Sequence, residues 1–255
     1  MPIAGTLDIA SVLAGAPRVR ALAGVPWELP DTTYVQVNWE VAHDAALPLT
    51  PPSLHPSIPP YVAAFGMRVT ESPVGPFALA QMRLVVRAGI RPRGYCLGAV
   101  CDSPAAAAAL RDGWGYPVAV GDVQVGVRHD RIFCTAVLDG REVMEIAVGD
   151  PEPIAGADLM AFDNLHLIRL GESGDGEGAI VQVNPEYAIQ SADRGRPVLR
   201  LPDPGALGMK GCISLTMAMT AFSFRADTTL PPVRFVMDPV VPAVQSTRKV
   251  EAAPV

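Results

Sequence analysis

The chain has 255 residues, 49% of them apolar and 18% charged, and carries a formal net charge of −6. That is enough apolar material for a large core and suits one large domain, while the acidic balance leaves no basic footprint for nucleic acid or an anionic membrane. The expected partner is a small-molecule substrate.

Basic residues are almost all arginine, the only lysines being Lys210 and Lys249. Beside so much Ala and Pro, this skew points to a GC-rich bacterial genome. The four cysteines form no CxxC pair and the four histidines have no HxxxH or HExxH spacing, so neither a metal nor a cofactor is expected. Reduced, buried thiols suit a cytoplasmic protein. No basic N-terminal region and no run of roughly 18 uncharged apolar residues suggests a signal or a membrane span.

In chain order, residues 1–30 read as an N-terminal arm with a short amphipathic segment from Leu7 to Leu13. Docking of such an arm onto a neighbour would favour a homo-oligomer. From Thr33 the residues alternate, placing Val35, Val37 and Trp39 on one face of a strand and Gln36, Asn38 and Glu40 on the other. Six prolines between Leu47 and Pro60 predict an ordered loop. Strands follow at Tyr61–Thr70, Phe77–Ala88 and Tyr95–Cys101.

Ser103-Pro104 followed by an alanine run predicts a helix, with Ser as N-cap and Gly113 as its stop. Arg131–Leu138, Asp139-Gly140 and Arg141–Val148 predict a hairpin closed by a type I′ turn. Further strands are expected near Asn164–Leu170, Ala179–Asn184, Ile213–Phe224 and Val233–Met237, with a Gly- and acid-rich loop at Gly171–Gly178. Residues 241–255 read as a loose tail. With strands outnumbering helices, residues 31–240 are expected to form a mostly β domain, a barrel with its ligand inside.

The run Arg111-Asp112-Gly113-Trp114-Gly115-Tyr116-Pro117, together with Ser72-Pro73-Val74-Gly75-Pro76-Phe77 and the Asp139-Gly140 hairpin, resembles the acetoacetate decarboxylase superfamily. The resemblance implies that family's β-barrel fold, a homo-oligomer, and a pocket walled by Trp114 and Tyr116. In that family two lysines follow the proline, the first forming a Schiff base with the substrate ketone and the second lowering its pKa. Here those positions hold Val118 and Ala119. By the same alignment the pocket arginine corresponds to Glu40, and two pocket glutamates to about Ala64 and Leu79.

Glu40, with Gln36 and Asn38 as same-face neighbours, is the candidate general acid or base; the alternative is a paired or edge-exposed glutamate. Arg83 shares strand parity with Leu79 and Gln81, so it either anchors a substrate carboxylate or faces solvent. His43-Asp44 and His129-Asp130 point their members to opposite faces if they lie on strands. The aromatics Trp39, Phe65, Phe77, Tyr95, Trp114 and Tyr116 read as core or pocket wall. The expected function is a lysine-independent lyase, dehydratase or isomerase acting by acid–base chemistry on a small carbonyl or carboxylic compound. The rivals are a non-catalytic binding or scaffolding protein, and a hydrolase or cyclase of secondary metabolism.

Overall fold

The computed structural model describes residues 3–171, 177–209 and 215–250. Lys210, Cys212, most of the Gly171–Gly178 loop and the last five residues lie outside that set.

The strands are β1 (Arg18–Val19), β2 (Trp27–Val41), β3 (His55–Pro56), β4 (Tyr61–Val69), β5 (Phe77–Ala88), β6 (Arg91–Cys101), β7 (Val118–Val120), β8 (Asp122–Arg128), β9 (Arg131–Leu138) and β10 (Arg141–Pro153). They continue as β11 (Asp163–Leu170), β12 (Glu177–Val183), β13 (Glu186–Arg200), β14 (Leu215–Leu230), β15 (Phe235–Met237) and β16 (Arg248–Lys249). The helices are short: α1 (Ile9–Leu13), α2 (His43–Ala46), α3 (Pro104–Trp114) and α4 (Ala243–Ser246).

All the strands join one mixed sheet whose main path runs β16-β15-β12-β11-β6-β5-β4-β2-β14-β13-β10-β9-β8. The expected closed barrel is not found: among the described residues the two ends of this path do not pair. The sheet instead folds over itself, with β8 and β9 packing against β4, β5 and β6. One face of the β2–β4–β5 region therefore meets β8–β10, and Val35, Val37, Ala64, Ala80 and Met82 share a core with Val125, Cys134 and Ile146. The opposite face lies under α3, β7, β11 and β12, where Tyr34, Phe65 and Leu79 pack with Leu110, Trp114, Tyr116 and Val181. Both faces are buried here, so Gln36 and Asn38 on the polar side of β2 are interior rather than solvated.

Local chemistry explains the connections that matter. Asp139 and Gly140 both take positive φ, 51° and 74°, as the type I′ turn between β9 and β10 requires. At α3 the Ser103 hydroxyl accepts from Ala106 N–H at 3.3 Å. The helix runs past Gly113 and stops at Gly115, which is left-handed at φ 70°. There Gly115 N–H donates to Arg111 O and Tyr116 N–H to Leu110 O, and any Cβ at Gly115 would strike Ile168.

The terminal segments are tied to the body. Thr6 and Leu7 N–H donate to Leu47 and Thr50 carbonyls, and β1 pairs in parallel with β11, so the arm lies on its own chain. The expected loose tail begins later than 241, because α4 and β16 occupy part of that stretch and β16 pairs with β15. No helix among the described residues is long and apolar enough to cross a membrane.

Candidate functional site

The site grows from the strand parity of β2, β4 and β5. Gln36 stands opposite Phe65, and Phe65 opposite Gln81, so these side chains share a face with Arg83, two residues further along β5. Opposite Arg83 on β6 lies Cys96. Next to it Gly94 makes room for the arginine stem, since a Cβ there would come within 2.8 Å of Arg83 Cδ.

Arg83 is 1% exposed. Its Nη2 donates to Gln36 Oε1 at 2.8 Å and its Nη1 to Asn164 Oδ1 at 3.1 Å, while the guanidinium lies 4.2 Å from the Phe65 ring centroid. All of these partners are neutral. Arg83 forms no ion pair among the described residues, and its Nε is buried without a hydrogen bond. Burial lowers its pKa, with only the weak acids Tyr187, Cys96 and Tyr116 acting against that. Gln36 is itself held, its Nε2 donating to Asn38 Oδ1 at 3.1 Å and to Met160 O at 3.0 Å. Asn38 in turn donates to Thr220 Oγ1 at 2.9 Å.

The second wall comes from the end of α3 and from β11. Once Gly115 has reversed the chain, Tyr116 turns into the interior and Pro117 O accepts from Ala99 N–H at 3.0 Å, which starts β7 alongside β6. The Arg111 guanidinium donates to Val118 O, and the Trp114 indole N–H donates to Pro231 O at 2.7 Å. The motif around Trp114 thus clamps the turn that aims Tyr116. On β11, His166 Nδ1 lies 2.8 Å from Trp114 O; a carbonyl can only accept, so Nδ1 carries the proton and Nε2 holds a lone pair. That Nε2 is buried and unpartnered, as is Gln81 Oε1. The His166 and Tyr116 ring centroids are 4.0 Å apart, and Asn164 Nδ2 makes a long 3.5 Å contact to Tyr116 Oη.

Burial sets the protonation states. It pushes His166 down to about 4, Arg83 adding to the effect, so the imidazole is neutral at pH 7. Tyr116 is raised by burial and remains a phenol, Tyr187 is raised to about 12 and the Cys96 thiol to about 12. The interior space against Tyr34, Gln81, Tyr116 and Asn164 measures about 20 Å³. Among the described residues no three metal-ligating side chains converge.

Of the residues singled out in the sequence, Arg83, Gln36, Asn38, Leu79, Trp114, Tyr116 and Val118 lie on this buried face. Arg83 is interior rather than solvent-facing. Three others lie elsewhere. Ala64 stands opposite Val37 and Met82, so strand parity turns it to the other core. Ala119 is half-buried in an outer groove with Arg111 and Arg169. Glu40 is half-buried near the end of β2, paired with Tyr61 and Met217, ~13 Å along the strand from Gln36 at about 3.3 Å per residue. Among the described residues its carboxylate makes no hydrogen bond or ion pair. Neither histidine–acid pair joins the cluster: His43 and Asp44 lie in α2, and His129 and Asp130 form the turn between β8 and β9.

Sequence reasoning missed Asn164 and His166. Their signal was present as two polar residues at i and i+2 in the apolar run of β11.

The family model described as acetoacetate decarboxylase matches residues 16–231. No curated protein matches the chain. Among solved structures, acetoacetate decarboxylase from Legionella pneumophila superposes with a TM-score of 0.71 at 18% identity, covering 83% of this chain and 86% of that one. The enduracididine biosynthesis enzyme MppR, complexed with pyruvate, gives 0.69 at 18% identity over 84% and 91%. An acetoacetate decarboxylase-like enzyme from Sphingomonas wittichii RW1 gives 0.60 at 14% over 82% and 91%. These likenesses share the fold, and the match over residues 16–231 places the chain in the acetoacetate decarboxylase family.

Proposed function

We propose that this chain binds a small oxo acid at Arg83 and moves a proton on it without forming an imine, as a lyase, dehydratase or isomerase would. The observation that carries the reading is a fully buried guanidinium with only neutral partners and an unpartnered Nε. An uncompensated charge inside a protein costs several kcal/mol, and a carboxylate or enolate oxygen on Arg83 would offset it. Solved structures of this fold include an acetoacetate decarboxylase and MppR complexed with pyruvate, which fits an anionic ligand.

In this reading Gln36 and Asn164 hold the guanidinium plane, His166 Nε2 accepts the proton, and the Tyr116 hydroxyl donates to the developing oxyanion. An imidazole titrating near 4 is a weak base, but it is free of protons at pH 7 and its Nδ1–H bond fixes the tautomer. Glu40 enters as a rim carboxylate rather than as the base. Val118 follows Tyr116-Pro117 and offers no amine, and Lys249 is exposed on β16.

Calorimetric titration with pyruvate and acetoacetate, against acetone as an uncharged control, tests this. The acids should bind and acetone should not, and Arg83→Met should weaken the acids roughly 10- to 100-fold, the worth of a charged hydrogen bond. Undiminished binding in that variant would overturn the reading. Borohydride treatment with acetoacetate should leave the protein mass unchanged, and a reduced adduct on Lys210 would restore imine chemistry.

One observation favours a second reading. About 20 Å³ beside the cluster is room for roughly one water, which suits a scaffold that kept its core and lost its chemistry. Absence of binding by every acid would establish that alternative.

A further inference from the structure

Resting on that reading, we infer that the ligand is a longer oxo acid whose apolar tail occupies a separate compartment beneath the N-terminal arm, reached through a split in the sheet. The split lies on β6. Strand β11 pairs with its residues Arg93–Tyr95 and β7 with Ala99–Cys101, leaving Cys96, Leu97 and Gly98 without a strand neighbour on that edge. On the other edge the register against β5 slips at the same place, Met82 meeting Gly98 and Arg83 meeting Cys96, so Leu97 is a bulge. Bulges of this kind re-aim side chains and end pairing beside functional sites.

Outside the split is a partly open pocket of about 630 Å³, within the size range of small-molecule sites and far larger than the space beside the cluster. Leu7, Val12, Leu49, Leu97, Pro117 and Leu167 give it an apolar lining. The wall between pocket and cluster is one residue thick. Pro117 and Leu167 line the pocket while their chain neighbours Tyr116 and His166 face Arg83, and Cys96 both lines the pocket and stands opposite Arg83. The roof is the arm, pinned by Thr6 and Leu7 on one side and by the bond from Arg169 N–H to Pro17 O on the other.

The chemistry of the lining selects the tail end of the ligand rather than its head. Asp8 is the acidic residue of the lining, and it is occupied by Ala10 N–H as the cap of α1; it would repel a carboxylate. Arg83 would attract one. A linear 2-oxo acid satisfies both ends, its carboxylate at Arg83 and its alkyl chain passing Cys96 into the pocket.

A series of straight-chain 2-oxo acids from pyruvate upward, titrated into the full-length protein, tests the inference. Affinity should rise about two- to four-fold per added methylene, the upper figure being the full burial of a CH₂, until the pocket is filled. Val12→Trp on the roof should flatten that slope, as should Leu97→Trp should the first variant fold poorly by circular dichroism. Val127→Trp, at an exposed position of β8, should leave it unchanged. No gain with chain length while pyruvate binds in an Arg83-dependent way would overturn the compartment and leave the proposed function standing. Long acids that bind equally well to Arg83→Met would show an apolar pocket unconnected to the cluster, which also overturns it. If no acid binds at all, the proposed function fails and this inference fails with it.

Discussion

Met82 and Arg83 are neighbours on β5 and are buried to the same degree, yet they face opposite chemistry. Met82 packs among Val37, Ala64 and Ile146 in a core of aliphatic side chains. Arg83 sits among amides, an imidazole and a phenol, where Gln81 Oε1, His166 Nε2 and its own Nε are left unpaired. One side of the strand supplies stability; the other carries a charge that opposes it. A folded chain tolerates such a face only where the rest of the core over-determines it.

That contrast can be broken most forcefully on the aliphatic side. Met82→Ala removes a buried side chain without space to collapse, and should lower the unfolding free energy by ~2–5 kcal/mol in urea titration; a loss below ~1 kcal/mol would mean that the face is not the principal core.

The polar side should show itself through pH. His166 is lowered from 6.5 to about 4 by burial, so between these values the unfolded chain binds more protons than the folded one. Its contribution is complete above pH 6.5 and declines as pH falls toward 4, by about 3 kcal/mol in total at 1.36 kcal/mol per unit. His166→Gln should lack this slope in a series of urea midpoints. An unchanged profile would place the imidazole in contact with solvent.

The smallest effect is expected at the rim. Glu40→Gln should alter stability by no more than ~0.5 kcal/mol and leave binding of pyruvate intact, because Glu40 stands well down the strand from Arg83. Loss of binding would return Glu40 to the site.

The parts of the fold written in local rules could be read directly. Ser103-Pro104 starts α3, Asp139-Gly140 turns β9 into β10, and β5 spans the stretch its composition predicts. Legibility failed where a neighbour decided. The helix passes Gly113 because Gly115 can take the left-handed conformation against Ile168. β13 carries a largely exposed, polar sequence and is a strand because β10 and β14 flank it. Ala64, expected in the pocket, faces the other core, because in a strand one residue exchanges inside for outside.

Residue order alone determined the alternation of β2, the parity that joins Leu79, Gln81 and Arg83, the cap and stop signals around α3, and the valine that follows Tyr116-Pro117. These depend on spacings of a few residues and on covalent geometry. Only the tertiary structure decided that the polar face of β2 is covered, that Asn164 and His166 come from β11 to meet Arg83, and that one edge of β6 has no strand between β7 and β11. Those facts depend on which distant segments pack together, and a buried strand face is distinguished from a solvated one by what lies on top of it.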